Sequence, residues 1–360
     1  MPDAGSPIPV VVLGGTGYVS GELLRLLAGH PRFTVVAVAS TSQAGEPVVR
    51  AFPHLAGTVL DPLVFSRVDD LPQPAAAGGP LGLLAATPHG ETAALLNALL
   101  GRTERAGIDV RVVDLSADFR FDDAARWEAI YGRPHGAPGR AATFVCAVPE
   151  HWHGEVPRFA AQPGCFTTAV TLAAYPLLAL GLAASQAEIF VSAVTGSSGS
   201  GRSPSAITHH PERRSSLHAY SPLAHRHEAE MRRLLSRATG GVEPEVAFVP
   251  HSGPFVRGIH ATLRMTLAEP LAADELAGRI AEFYGDAPFV SVSTAPPRLT
   301  EVVGTNRCRI GVATRGRTAV LLSAIDNLVK GAAGGGVQWL NRLFGLPDDT
   351  GLRLPGLGWY

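Results

Sequence analysis

The chain has 360 residues, 46% of them hydrophobic and 17% charged, which suits one or two buried cores and excludes general disorder. Thirty basic against 31 acidic residues leave a net charge of −1, which excludes the basic excess of a dedicated nucleic-acid binder. Of the basic residues 29 are Arg and one, Lys330, is Lys. A P-loop or Schiff-base lysine is thereby nearly excluded, and anions fall to Arg forks, backbone amides or His.

In chain order, Ile8–Leu13 is a short apolar, β-branched run that reads as a buried parallel strand. It leads into Gly14-Gly15-Thr16-Gly17-Tyr18-Val19-Ser20-Gly21, then helical spacing over 22–27 and a second strand at Phe33–Ala39. Strand, glycine turn, helix and strand within about 30 residues is the context that gives a glycine motif meaning as a dinucleotide site. Gly14 and Gly17 let the backbone approach a pyrophosphate, with Thr16, Tyr18 and Val19 opening the helix whose amides face it. Ser20 stands where the third glycine is expected. The second strand ends at Ala39-Ser40-Thr41-Ser42, where an NAD enzyme usually places Asp or Glu. Ser40 and Ser42 leave room for a 2′-phosphate, which predicts NADP(H), gripped by hydroxyls, amides or a distant Arg.

Further strands are expected at Leu81–Ala85 and Val110–Asp114 with a helix over 91–100, so the first part reads as a doubly wound parallel sheet. Residues 71–80 read as a loop. Beyond Pro163 the texture changes: a helix starts after Gly164, and strands follow at 189–194, 246–250, 259–267 and 318–323. Residues 326–344 read as one helix. The stretch 197–227 is polar and long, a feature that is usually functional or mobile.

The cysteines are Cys146, Cys165 and Cys308. No two are close, so no zinc ribbon or CxxC pair is formed and no metal is expected. Three thiols, no basic and apolar leader, and an apolar stretch at 169–184 too short for the ~20 residues of a span predict a cytoplasmic protein. Cys146 and Cys308 read as core. Cys165 lies in Gln162-Pro163-Gly164-Cys165, at a helix start whose amides favour a thiolate nucleophile. His225-Arg226-His227 opens another helix. His227 could exchange protons with a cysteine adduct, and Glu230, three residues on, could orient it.

Ordered along the chain, Gly14 to Glu22, Thr87-Pro88-His89-Gly90, Asp114 to Arg120, Pro163-Gly164-Cys165, Gly196 to Arg202, His225 to Glu230, Arg257-Gly258-Ile259 and Ile325 to Gly334 resemble one family. It is N-acetyl-γ-glutamyl-phosphate reductase together with its lysine-pathway relative, which reduces α-aminoadipyl 6-phosphate carried by a LysW-type protein. The resemblance implies an α/β fold: a Rossmann domain over 1–163, completed by 326–360, and an α+β substrate and oligomerisation domain over 164–325, like glyceraldehyde-3-phosphate dehydrogenase. It implies a homo-oligomer, dimer or tetramer. Cys165 would be the nucleophile, His227 the acid and base, and Glu230 its support. Pro88, His89, Gly90 and Asn327 would lie along the cofactor. Arg120, Gln162, Ser198, Arg202 and Arg257 would meet the substrate. Phe166 and Thr167 depart from the Tyr-Pro common after the cysteine, and Gln162 from the usual Asn.

Thr208-His209-His210-Pro211-Glu212-Arg213-Arg214, followed by Ala219-Tyr220-Ser221-Pro222-Leu223, looks like the lysine branch. Between residues 202 and 233 there are six Arg, three Glu and five His, a basic surface suited to an acidic carrier. His209, His210, Arg213 and Arg214 would form the docking site. The expected reaction is therefore NADPH-dependent reduction of the carrier-bound acyl phosphate through a cysteine thioester. The alternative is N-acetyl-γ-glutamyl-phosphate reduction in arginine synthesis, or both.

Overall fold

The computed structural model describes residues 6–71, 79–185 and 187–358. Most of the loop expected over 71–80 lies outside them. The chain divides into two compact units. The first runs to Pro149 and adds His153–Gln162 and Ala333–Arg353; the second takes Glu150–Trp152, Pro163–Ala332 and the tail from Leu354.

In chain order the first unit begins β1 (Ile8–Leu13), α1 (Tyr18–Ala28), β2 (Phe33–Ala39), α2 (Val48–Ala51), β3 (Phe65–Ser66) and β4 (Leu81–Ala85). It continues α3 (Thr92–Arg105), β5 (Val110–Asp114), α4 (Ala124–Tyr131), β6 (Val145–Cys146) and β7 (Phe159–Ala161). The strands form one seven-stranded sheet in the order β3-β2-β1-β4-β5-β7-β6, and every pairing is parallel. Val10 to Leu13 are fully buried, as a strand covered on both faces must be, and this is why β1 reads as an unbroken apolar run. The strand order reverses between β1 and β4, the crevice where open α/β sheets hold their ligands.

The second unit holds α5 (Cys165–Ala179), β8 (Ile189–Thr195), α6 (His210–Arg213), β9 (His218–Ala219), α7 (His227–Leu235) and β10 (Val246–Ser252). It continues β11 (Ile259–Thr266), α8 (Ala273–Tyr284), β12 (Val290–Ser293), β13 (Cys308–Arg315) and β14 (Thr318–Ile325). Its sheet is mixed, in the order β12-β13-β14-β11-β8-β10-β9. Burial alternates along β8, β10 and β11, the period of strands with one covered face. α5 is buried along most of its length and packs on β11, β14 and α7. Pro176 sits inside this helix and cannot donate to the carbonyl of Leu172. The Tyr284 hydroxyl from α8 donates to that carbonyl instead, which satisfies the group the proline orphans.

The single helix expected over 326–344 is broken. A π-helical turn spans Val329–Ala333, and α9 (Gly334–Leu343) follows it. The first unit therefore resumes at Ala333 rather than at residue 326. Asp326 is tied to Arg257 and to the Gly304 N–H, and Asn327 to Gly258 and Ser198, all within the second unit. Leu357 donates its N–H to Val303 and returns the tail to the same unit. Among the described residues no helix is long and apolar enough to cross a membrane.

Candidate active site

In the first unit the glycine turn is shaped by contact. Gly14 has a φ of +150°, and a Cβ there would stand 2.8 Å from the Ala86 carbonyl carbon, so no side chain fits. Gly17 caps α1, whose first turn has no acidic residue and no capping side chain. Its amides and positive dipole end stay available to a phosphate. Ser20 takes the third glycine's place: it is fully buried, with its Oγ 3.0 Å from where a Gly14 Cβ would be. That hydroxyl has no hydrogen-bond partner. Gly21 instead makes room for the Phe52 ring. These features fit a dinucleotide.

Ser40 was expected beside a 2′-phosphate. It is buried, and its Oγ accepts from the Ser42 and Gln43 N–H groups at 3.3 and 3.2 Å, so it caps the turn. Thr41 and Ser42 are exposed. The Ser40 N–H donates to the Ser66 carbonyl, which brings Arg67, the residue after β3, beside this turn. Arg67 is exposed and meets no carboxylate among the described residues. Sequence reasoning missed it because β3 has only two residues.

Beyond β4, Pro88 leads to Gly90, which has a φ of +86° and donates its N–H to Asp118 at 2.6 Å. His89 accepts from the Ala117 N–H through Nδ1 at 3.0 Å. Asp114 lies beneath, and burial together with Asp118 pushes its carboxyl up to about 7. Arg120 corrects an expectation. It is buried, and its Nε and Nη2 donate to the carbonyls of Gln162 and Leu115, so its fork braces backbone. Gln162 is buried as well, with its amide against Gly335 of α9.

In the second unit the thiol and its neighbours meet. Cys165 is the first residue of α5, with Gly164 as its cap. A Cβ on Gly164 would stand 2.3 Å from His227 Nε2; the imidazole therefore lies directly on the residue before the cysteine. Glu230 is buried. Its Oε2 accepts from the Gly164 N–H and the Thr167 hydroxyl, both at 3.0 Å, and its Oε1 lies 4.0 Å from His227 Nε2. Thr167, where the resemblance implied proline, gives Glu230 this hydroxyl contact. His225 accepts from the His227 N–H and forms an aromatic box with Phe166, Tyr220 and Phe248. Burial, then Arg226, lowers its imidazole to about 4. Tyr220, its ring centred 5.5 Å from that of His225, has its phenol pushed up by burial, then by Cys165; the sequence placed it only in the stretch resembling the lysine branch.

A second set of contacts in this unit forms a brace. Asn327 accepts from the Gly258 N–H at 2.7 Å and donates to Ser198 Oγ at 3.0 Å; Ser198 in turn donates to the Val256 carbonyl at 2.6 Å. Arg257 pairs with buried Asp326, Nε to Oδ2 at 3.0 Å. Asn327, Ser198 and Arg257, expected to face ligands, thus spend these groups on tying the segments around residues 198, 257 and 327 to one another. Arg202 is exposed. Thr195 is buried, with its hydroxyl unpartnered, and is a ligand candidate that sequence reasoning missed.

His209, His210 and Arg214 are exposed. Arg213 is not: it is buried and donates to Ser252 Oγ and the Gly253 carbonyl, which contradicts its expected docking role. It fastens α6 to the end of β10.

Residues 9–156 match the family described as semialdehyde dehydrogenase, NAD binding domain. Residues 165–327 match the one described as semialdehyde dehydrogenase, dimerisation domain. The chain is 41% identical over 356 residues to N-acetyl-γ-glutamyl-phosphate reductase of Pseudomonas savastanoi pv. phaseolicola, covering 97% of this chain and 99% of that one. It is 42% identical over 351 residues to the reductase of that name from Azotobacter vinelandii, covering 96% and 98%. Among solved structures, aspartate semialdehyde dehydrogenase II from Vibrio cholerae aligns with a TM-score of 0.69 at 16% identity, covering 95% of this chain and 99% of that one. Aspartate semialdehyde dehydrogenase with NADP from Candida albicans aligns with 0.60 at 16%, covering 94% and 99%. Those two likenesses are of fold.

Proposed function

This chain belongs to the N-acetyl-γ-glutamyl-phosphate reductase family, and from that membership we propose that it reduces N-acetyl-γ-glutamyl phosphate to the semialdehyde with release of phosphate. It is an oxidoreductase of the semialdehyde dehydrogenase type that uses NADP(H). The observation that carries the reading is the start of α5, where Cys165, His227 and Glu230 converge.

The Cys165 thiolate attacks the acyl carbon, the carbon–oxygen bond to phosphate breaks, and phosphate leaves with the electron pair. The α5 amides and a protonated His227 favour the thiolate. Glu230, buried 4.0 Å from His227 Nε2, supports the imidazolium; without His227 its charge would oppose the thiolate. NADP(H), when bound, supplies the hydride. His227 gives a proton to the oxyanion of the reduced adduct. It then takes the hydroxyl proton as the carbon–sulfur bond breaks, which frees the aldehyde and the thiolate. His225, with its imidazole near 4, stays neutral and leaves that proton to His227. Gly14, Gly17 and the start of α1 would hold the pyrophosphate, and Thr41, Ser42 and Arg67 the 2′-phosphate. The dimerisation-domain match supports a homo-oligomer.

The lysine-branch expectation is the second reading: the same reduction of carrier-bound α-aminoadipyl 6-phosphate. It is supported by the exposed His209, His210 and Arg214, and it loses Arg213. The relatives' name favours the acetylated glutamyl substrate. The test is phosphate-dependent NADP⁺ reduction with free N-acetylglutamate semialdehyde beside aminoadipate semialdehyde on a LysW-type carrier. Turnover of the free aldehyde is expected. Turnover of the carrier-linked aldehyde alone would restore the lysine reading.

A further inference from the structure

Lys330 is the chain's one lysine among 30 basic residues, and it is placed where no solvent reaches. Its side chain is fully buried and donates to Glu150 Oε1 at 2.5 Å; the Glu150 side chain is also fully buried. The ammonium lies 5.6 Å from the centre of the Phe289 ring. A buried pair of this kind adds little stability over an apolar pair of the same volume, because both charges lose their water. What such a pair does supply is direction.

Two connections give that direction a target. On one side Lys330 belongs to the π-helical turn Val329–Ala333, where the Gly331 N–H reaches the Asp326 carbonyl five residues back. π turns are rare and recur at functional sites. A Cβ on Gly331 would stand 2.6 Å from the Cys165 Cβ and 3.0 Å from its Cα. The turn therefore presses bare backbone against the cysteine. On the other side Glu150 is followed by His151, which stacks on Tyr175 of α5 at 4.1 Å and shares a 3.0 Å hydrogen bond with the Tyr284 hydroxyl. Tyr284 in turn donates to Leu172 of α5. The ion pair thus links the turn that touches the first residue of α5 to groups that grip the body of the same helix.

We propose that Lys330 and Glu150 are positioning residues for the nucleophile: their ion pair seats Gly331 against Cys165 and so fixes the direction of the thiol. This rests on the reading of Cys165 as nucleophile. Neither residue touches substrate. Both act through Gly331.

The test is the double variant Lys330→Met with Glu150→Gln, which removes the charge pair at similar volume and strands no carboxylate. Three quantities are read on the full chain: melting temperature, the rate of iodoacetamide alkylation at Cys165, and kcat beside KM. The expected result is a melting temperature within a few degrees of wild type, slower alkylation, and a kcat lower by about tenfold to a hundredfold with KM unchanged. Wild-type alkylation rate and kcat in the folded variant would overturn the proposal, as would a fall in melting temperature alone. Gly331→Ala disturbs the same contact without touching the pair. Its Cβ would collide with Cys165, so an unchanged kcat there overturns the proposal even if the double variant does not fold. Alkylation of wild-type Cys165 that spares activity would instead overturn the nucleophile reading. Inactivation of wild type beside unaltered variants overturns the positioning alone.

Discussion

Two helices of this molecule begin at a glycine with no side-chain cap, α1 at Gly17 and α5 at Gly164, and they are finished in opposite ways. Nothing stands near the Cβ position of Gly17, whereas that of Gly164 is filled by His227. No carboxylate stands in the first turn of α1. At α5 the Glu230 carboxylate accepts from Gly164 and Thr167, and Gly331 closes on the cysteine. The same local physics, exposed amides and a positive dipole end, serves two purposes. An open start can receive an anion that comes and goes. A closed start can hold a resident group, which is the role proposed for Cys165.

Breaking the closed end should cost most. Cys165→Ser is expected to lose at least about a thousandfold in kcat, while 2′,5′-ADP binding, which reports the open end, stays as in wild type. Substantial turnover by this variant would remove the covalent step. At the open end, Gly14→Ala sets a Cβ 2.8 Å from the Ala86 backbone at a φ of +150°. A loss of about 2 kcal/mol of stability is expected, together with weakened 2′,5′-ADP binding; an unshifted melt would show that the turn yields freely.

Subtler changes sharpen the contrast. Glu230→Gln keeps acceptors for Gly164 and Thr167 but removes the charge near His227. A kcat lower by about tenfold to a hundredfold is expected, with little change in melting temperature. If kcat held while the protein melted early, Glu230 would be only a cap. Arg67→Ser should raise the Kd of 2′,5′-ADP about tenfold and leave that of 5′-AMP alone. Equal weakening of both would place Arg67 away from the 2′-phosphate.

What was legible in the sequence follows the range of the forces involved. The β1 to β2 segment declares itself through a continuous apolar run and a glycine turn, both local. β3, with two residues, has no period to read, so Arg67 stayed out of view. The break at Val329–Ala333 is a tertiary effect: residues 326–344 have helical spacing, but Gly331 must meet Cys165. Arg120, Arg213 and Arg257 all read as anion forks, and each spends its guanidinium on a carbonyl, hydroxyl or carboxylate within the fold. Residue type announces a donor but not its acceptor. That Cys165 opens a helix and that His227 and Glu230 share a helix face was legible, because a glycine-led helix start and an i, i+3 pair are short-range patterns.

The two regions should also answer acid differently. In the first unit His30 is lowered to about 4, chiefly by burial, and Asp114 is raised to about 7. In the second, His225 is lowered to about 4 and His260 is lowered, while Glu228 is raised. A histidine held below its usual 6.5 binds its proton more readily when unfolded. Its contribution to stability is present above pH 6.5 and is lost as pH falls toward 4. Asp114 runs the other way. Its folded carboxyl holds a proton, so its contribution is present below pH 3.8 and is lost as pH rises toward 7. Between pH 6.5 and 4, acidification thus takes from His30 what it returns through Asp114. His225 loses about 1 kcal/mol by pH 5.5, joined by His260 and offset in part by Glu228. Amide exchange at pH 7 and 5.5, corrected for its intrinsic pH dependence, should show protection falling more in α7 and β10 than in β1 and β5. Equal losses would mean that burial of His225 does not govern the closed end.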